Sequence, residues 1–170
     1  MSYCLFETSR LKLRRITAAD FDDMMAVYGD PIAARWVDDG QPLAEKDCHR
    51  WIAVTLENYV NRGYGMFAAV DRLDDSIVGF CGLVHPGGQE VPEIKYALKR
   101  TCWGKGLASE LVQSLLGYAH EELSMHEVIA TIDPANLASQ RVAQKAGMQM
   151  IEIQFDAAGL PVQVYRSKKS

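Results

Sequence analysis

The segment best equipped for chemistry is Thr101-Cys102-Trp103-Gly104-Lys105-Gly106-Leu107. It stands between a predicted strand and a predicted long helix. Two glycines let a backbone come close to a ligand and take positive φ where needed. The N–H groups at the start of the helix, with its dipole, make a site for an anion. Lys99, Arg100 and Lys105 add positive charge locally to a chain that is acidic overall. These features point to a phosphorylated ligand, most simply a pyrophosphate. A plain strand-to-helix turn would also use glycine; the basic flanks and the helix start favour the anion site.

Two readings of that anion compete. Gly104-x-Gly106-x-x-Ser109 is similar to a dinucleotide fingerprint, and Asp133 ends the following strand where a ribose-binding acid would lie. A nucleotide-binding oxidoreductase is therefore an alternative. Against it, the unit follows a hairpin-rich half instead of opening the domain. The remaining chain is also too short for a doubly wound sheet. The run G-x-x-x-x-G-K-[ST] is absent, which excludes a P-loop.

The elements that must position this turn follow from periodicity. Residues 10–15 alternate as a strand, with Leu11 and Leu13 on one face. Thr17 is an N-cap with Asp20 at N3, opening a helix that carries Phe21, Met24, Met25 and Tyr28 and ends at Gly29. Residues 30–42 read as loop. A helix over 43–61 presents Cys48, Trp51, Ile52, Leu56 and Tyr59 on its apolar face. Strands at 66–71 and 76–84 form an antiparallel hairpin. A strand at 91–98 follows a turn, and Pro92 restricts it to an edge-like or bulged start. The helix over 107–122 has an apolar stripe two residues wide. A strand at 127–132, a helix at about 136–146 closed by Gly147, and strands at 149–155 and 161–167 complete the chain. Asn136 is a favoured N-cap for that last helix, and Ser139 is its N3 residue. Strands first, then alternation, imply an α/β (α+β mixed) fold with one mixed sheet.

Composition bounds the function. The 170 residues suit one domain, 1–170, and 48% hydrophobic with 24% charged residues is ordinary globular usage. Eighteen basic against 22 acidic residues gives a net charge of −4, which argues against wrapping nucleic acid. Cys4, Cys48, Cys81 and Cys102 are scattered, so neither a disulfide scaffold nor a zinc knuckle is expected, and Cys81 and Cys102 have no evident base partner. His49, His85, His120 and His126 show no metal-binding spacing; no metal is expected. No signal peptide and no membrane span of about 20 apolar residues is read, so the expected location is the cytoplasm.

Tyr96-Ala97-Leu98, then Trp103-Gly104-Lys105-Gly106-Leu107-Ala108, and later Asn136-Leu137-Ala138-Ser139-Gln140-Arg141-Val142 with Lys145-Ala146-Gly147-Met148 resemble the GNAT N-acetyltransferase superfamily. The closest resemblance is to the branch that acetylates α-amino groups of ribosomal proteins. The match runs from Glu7 to about Arg166. It implies a three-layer fold with a strongly twisted mixed sheet flanked by helices. It also implies acetyl-CoA as donor and direct transfer to a primary amine, a protein or peptide N-terminus or a small amine.

By that resemblance Thr101, Cys102, Trp103, Gly104, Lys105 and Gly106 hold the CoA pyrophosphate, with Leu107 and Ala108 at the helix start. Tyr96, Ala97 and Leu98 run beside pantetheine. Asn136 and Ser139 lie near the thioester, and Lys145 belongs to the donor motif. The family loop often opens with Gln or Arg; here that position is Thr101, and Arg100 is one residue off. Many members place a tyrosine acid where Ala143 stands here, so no tyrosine acid is transferred.

Amide formation needs a neutral amine, hence a base. Glu93 matches the family's glutamate at the start of this strand, with Glu90 as runner-up. Pro92 and Gly87-Gly88 imply irregular backbone just before it. Ser139 is the expected donor to the leaving sulfur. Trp36 and Asp38, an aromatic beside acidic groups, together with His85, are the expected acceptor contacts. A monomer, or a homodimer through terminal strands, is implied. A non-catalytic acetyl-CoA-binding module is the alternative from another class.

Overall fold

The computed structural model describes residues 3–170. Among them are eight strands and four α-helices in a mixed α/β arrangement. The hydrogen-bonded strand order is β1-β2-β3-β4-β5-β6-β8-β7. The chain divides into two compact units. One comprises the chain through Leu83 together with Lys95–Leu107; the other comprises Val84–Ile94 and Ala108–Ser170.

The first unit contains β1 (Cys4–Glu7), β2 (Leu11–Arg15), α1 (Phe21–Tyr28), α2 (Glu45–Arg62), β3 (Met66–Asp71), β4 (Ile77–Val84, through Leu83) and the Lys95–Leu98 part of β5 (Glu93–Leu98). β1 to β4 form an antiparallel meander, with Leu13 opposite Ala69 and Phe67 opposite Cys81. Strand β1 was not expected from the sequence, where Cys4–Glu7 shows no clean alternation. The loop expected at 30–42 contains a short 3-10 turn, Ala33–Trp36.

Leu11, Leu13, Met24, Val27, Phe67, Val70 and Phe80 are buried in this unit. Val27, not the expected Met25, completes the buried stripe of α1. On α2 the buried stripe is Cys48, Ile52, Thr55 and Tyr59. The expected Leu56 lies one position off that stripe and is 40% exposed. The Tyr59 hydroxyl accepts from Ile16 N–H at 3.0 Å and donates to the Met66 carbonyl. Burial pushes its phenol up to about 12. Gly82 is required for space: a Cβ there would come within 2.2 Å of the Gly65 carbonyl oxygen and 2.5 Å of the Met66 Cα.

The second unit contains the start of β5, α3 from Ala108 (the helix is Leu107–Glu121), β6 (Glu127–Ile132), α4 (Leu137–Lys145), β7 (Gln149–Phe155) and β8 (Pro161–Lys168). Leu111, Val112, Leu115, Leu116 and Ala119 of α3 are buried, as the two-residue stripe requires. β8 pairs antiparallel with both β6 and β7. β5 is not an edge strand; it has a partner on either side in the strand order. Pro92 is tolerated because it immediately precedes the strand, where its missing N–H breaks no ladder and its carbonyl accepts from Ile129 N–H at 2.9 Å.

The capping box at Thr17 and Asp20 is formed as expected. Asp20 also makes a two-pronged ion pair with Arg14, both bonds 2.8 Å, with its side chain only 7% exposed. Burial by itself would raise the Asp20 carboxyl, but the Arg14 guanidinium and the Thr17 N–H outweigh it and hold it below the usual range. A depressed folded pKa contributes stability above the unfolded value, near 4, and that contribution is lost as pH falls through the folded pKa. Asp20→Asn is therefore expected to cost about 2 kcal/mol at neutral pH. Urea unfolding should show this gap narrowing as pH is lowered below the unfolded value, near 4.

Candidate active site

In the first unit, β5 ends at Leu98 and the chain turns through a 3-10 segment, Arg100–Cys102. Cys102 N–H donates to Lys99 O at 2.9 Å and Trp103 N–H to Arg100 O at 3.1 Å. The Trp103 indole reaches back to Leu98 O at 3.0 Å, pinning the turn to the strand it leaves. Gly104 and Gly106 have φ of +74° and +77°, which L side chains rarely adopt. Nothing lies within 4 Å of a Cβ built at Gly104, so glycine is needed there for backbone conformation, not for space. Trp103, Gly104, Lys105 and Gly106 form an exposed surface.

The basic flanks are not simply added charge. Lys99 pairs with Asp23 of α1 at 2.7 Å, and Arg100 with Asp30 at 2.5 Å. These ion pairs neutralise both cations locally, so of the three basic residues the sequence places at the turn only Lys105 has no ion pair among the described residues. One further cation meets the turn from far off in sequence: Arg10 Nη1 donates to Lys105 O at 2.7 Å.

Trp36 and Asp38 also lie in this unit. The Arg35 guanidinium sits over the Trp36 ring at 4.6 Å. Asp38, at φ +46°, is 3.6 Å from Lys95. Both expected acceptor contacts are thus engaged by cations of the same chain. Cys81 is fully buried, and burial pushes its thiol up, which disables it as a nucleophile.

In the second unit Glu93 opens β5 and is 4% exposed. Its Oε1 accepts from Thr131 Oγ1 at 2.5 Å. The parallel pairing of β5 with β6 is confined, among the described residues, to Glu93 opposite Ile129. Thr131 was missed by sequence reasoning. Its signal was the alternation of β6: Val128, Ala130 and Ile132 are buried, which puts Thr131 on the other face with Glu127 and Ile129.

Asn136 caps α4. Its Oδ1 accepts from Ser139 N–H at 3.2 Å, and its Nδ2 donates to Ser139 Oγ at 3.0 Å. Asp133 forms the entry turn, accepting Ala135 N–H at 2.8 Å. One of its two carboxylate oxygens is thus engaged in the turn. Lys145 ends α4, and its carbonyl accepts from Gln113 Nε2 at 3.2 Å. Ala143 is buried. His85 Nδ1 is 2.9 Å from Gln89 O, beside the Pro86–Gly88 turn. Among the described residues no group of three or more His, Cys, Asp or Glu side chains could hold a metal. No helix there is long and apolar enough to cross a membrane.

Replacing Asn136 with Ala removes the cap and is expected to cost about 1 kcal/mol of stability, whereas Asn136→Asp should be nearly neutral. Urea denaturation of the two variants checks the cap; equal losses would refute it.

A family model described as an acetyltransferase (GNAT) domain matches residues 10–149. The uncharacterized N-acetyltransferase YnaD of Bacillus subtilis is 30% identical over 149 residues, covering 84% of this chain and 81% of that protein. A GNAT-family acetyltransferase from Bacillus anthracis superposes with a TM-score of 0.81 at 23% identity, over 99% of this chain and 98% of that one. The ribosomal L7/L12 α-N-protein acetyltransferase RimL, in complex with coenzyme A, has a TM-score of 0.82 at 15% identity, over 98% of both chains. At these identities the two structures speak for the fold alone.

Proposed function

Because the chain belongs to the GNAT acetyltransferase family, we propose that it moves the acetyl group of acetyl-CoA onto a primary amine in a ternary complex, with Glu93 as general base. The observation that carries this reading is Glu93, a residue 4% exposed whose carboxylate accepts from Thr131 at 2.5 Å. Such a group has a fixed geometry and little competing water.

The acceptor ammonium gives one proton to the Glu93 carboxylate, directly or through water. The neutral amine attacks the thioester carbonyl, and backbone N–H groups of the Tyr96-Ala97-Leu98 strand are assigned to the oxyanion. The C–N bond forms, the C–S bond breaks, and the departing thiolate takes a hydrogen bond from Ser139. A thiol pKa near 8.5 makes this a good leaving group, so no stronger acid is needed. The Asn136 amide donates to Ser139 Oγ, which orients that hydroxyl.

On the donor side, the exposed turn at Thr101–Gly106 takes the pyrophosphate through backbone N–H groups, with Leu107 and Ala108 at the helix start. Lys145 belongs to the same donor set. The positive φ values at Gly104 and Gly106 and the exposure of the turn support this assignment.

A free α-amino group is the favoured acceptor. At pH 7 roughly a tenth of such a group is neutral, against well under a thousandth of a lysine side chain. The likeness in fold to RimL agrees with this choice. Trp36, Asp38 and His85 are assigned to the acceptor; an incoming amine would compete with Lys95 for Asp38 and with Arg35 for Trp36. The protein acts in the cytoplasm, as a monomer or homodimer.

Glu93→Gln is expected to lower kcat about a hundredfold or more while leaving the Kd for CoA unchanged. Steady-state rates on an amine substrate together with calorimetry on CoA read both quantities. Wild-type kcat in the variant would remove Glu93 from the mechanism. CoA binding without turnover on any amine would favour a non-catalytic acetyl-CoA-binding module.

A further inference from the structure

We infer that Arg10 is a positioning residue for the diphosphate of the donor, acting through the Lys105–Gly106 peptide; this rests on the donor reading above. Arg10 lies 95 residues from the turn it touches and carries no motif of its own. Its Nη1 donates to the Lys105 carbonyl at 2.7 Å. Its Nη2 would be 3.5 Å from a Cβ built at Gly106. The guanidinium therefore lies across the second glycine of the turn.

The consequence follows from peptide geometry. No peptide bond among the described residues is cis. In a trans peptide, the carbonyl of one residue and the N–H of the next point in opposite directions. Holding the Lys105 carbonyl toward Arg10 therefore aims the Gly106 N–H away from Arg10. A charged donor on that carbonyl also polarises the peptide and strengthens the N–H as a donor. Cys102 and Trp103 spend their N–H groups inside the turn, so the weight of anion recognition shifts to positions 104–106 and the helix start that follows. Without a brace, two glycines in a row of three would leave this peptide free to rotate.

Arg10 is itself held. Its carbonyl accepts from Arg72 N–H at 3.0 Å. Thr8 closes the preceding turn, with Leu11 N–H donating to Thr8 Oγ1 at 3.0 Å. Arg72 adds a 2.6 Å bond to Thr8 O and a 3.2 Å ion pair with Glu7. A rigid short segment thus presents the guanidinium, which a merely decorative surface arginine would not need.

The test is calorimetry of wild type, Arg10→Ala and Arg10→Lys with two probes, CoA and 3′-dephospho-CoA, alongside thermal unfolding without ligand. Arg10→Ala is expected to keep its unfolding midpoint and to raise the Kd about tenfold for both probes, because both carry the diphosphate. Arg10→Lys should recover most of the loss. With a working amine assay, the KM for acetyl-CoA rises while kcat at saturation holds. An unchanged Kd in Arg10→Ala overturns the inference and leaves the donor reading intact. A loss confined to CoA also overturns it, by assigning Arg10 to the ribose phosphate instead. Failure of the wild-type protein to bind either probe removes the donor reading itself.

Discussion

Burying a carboxylate without donors costs several kcal/mol, and the neighbourhood of Glu93 is organised around that constraint. The carboxylate opens β5 immediately after Pro92, at the register pair that joins β5 to β6 among the described residues. Thr131, two residues beyond Ile129 on β6, returns a hydroxyl to it. Strand pairing fixes the backbone, and the side-chain bond fixes the carboxylate on that backbone. The role of base proposed for it calls for both restraints. The same economy governs α4, where Asn136 caps the helix and touches Ser139 with a single amide. A structural cap and a chemical role are thereby compatible in one residue.

Donor recognition follows a different logic. A chain of net charge −4 does not rely on a broad basic field to draw in a polyanion. Lys99 and Arg100, the two cations that precede the turn, are tied to Asp23 and Asp30. Their work is to fix the turn against α1 and the residues that follow it. On the proposed donor reading, a pyrophosphate meets oriented backbone together with the Lys105 side chain. Backbone donors keep their place when a side chain changes.

Much of this was legible from local pattern. The glycine turn, the stripe of α3, the Thr17 capping box and the Asn136 cap each depend on residues within a few positions of one another, so spacing alone reports them. What escaped was set by tertiary contact. Thr55 replaces Leu56 in the buried stripe of α2 because the stripe runs Cys48, Ile52, Thr55, Tyr59, and packing overrode side-chain polarity. Strand β1 exists because β2 offers it an edge, which composition cannot state. The partners of Lys99, Arg100, Asp38 and Glu93 come from 38 to 76 residues away, beyond the reach of any local motif. Of the chemistry, the identity of Glu93 entered through family resemblance, and its support by Thr131 only through the structure.

The central claim is that a thioester acetyl group passes from acetyl-CoA to a free amine on this protein. Mass spectrometry of a short peptide with a free N-terminus, incubated with acetyl-CoA and the enzyme, tests it most directly, with an N-formylated copy of the peptide as control. The account predicts addition of one acetyl group to the free peptide, matched by release of one CoA, and none to the blocked peptide. Bound CoA with no acetylated product across a panel of peptide and small-molecule amines would contradict it.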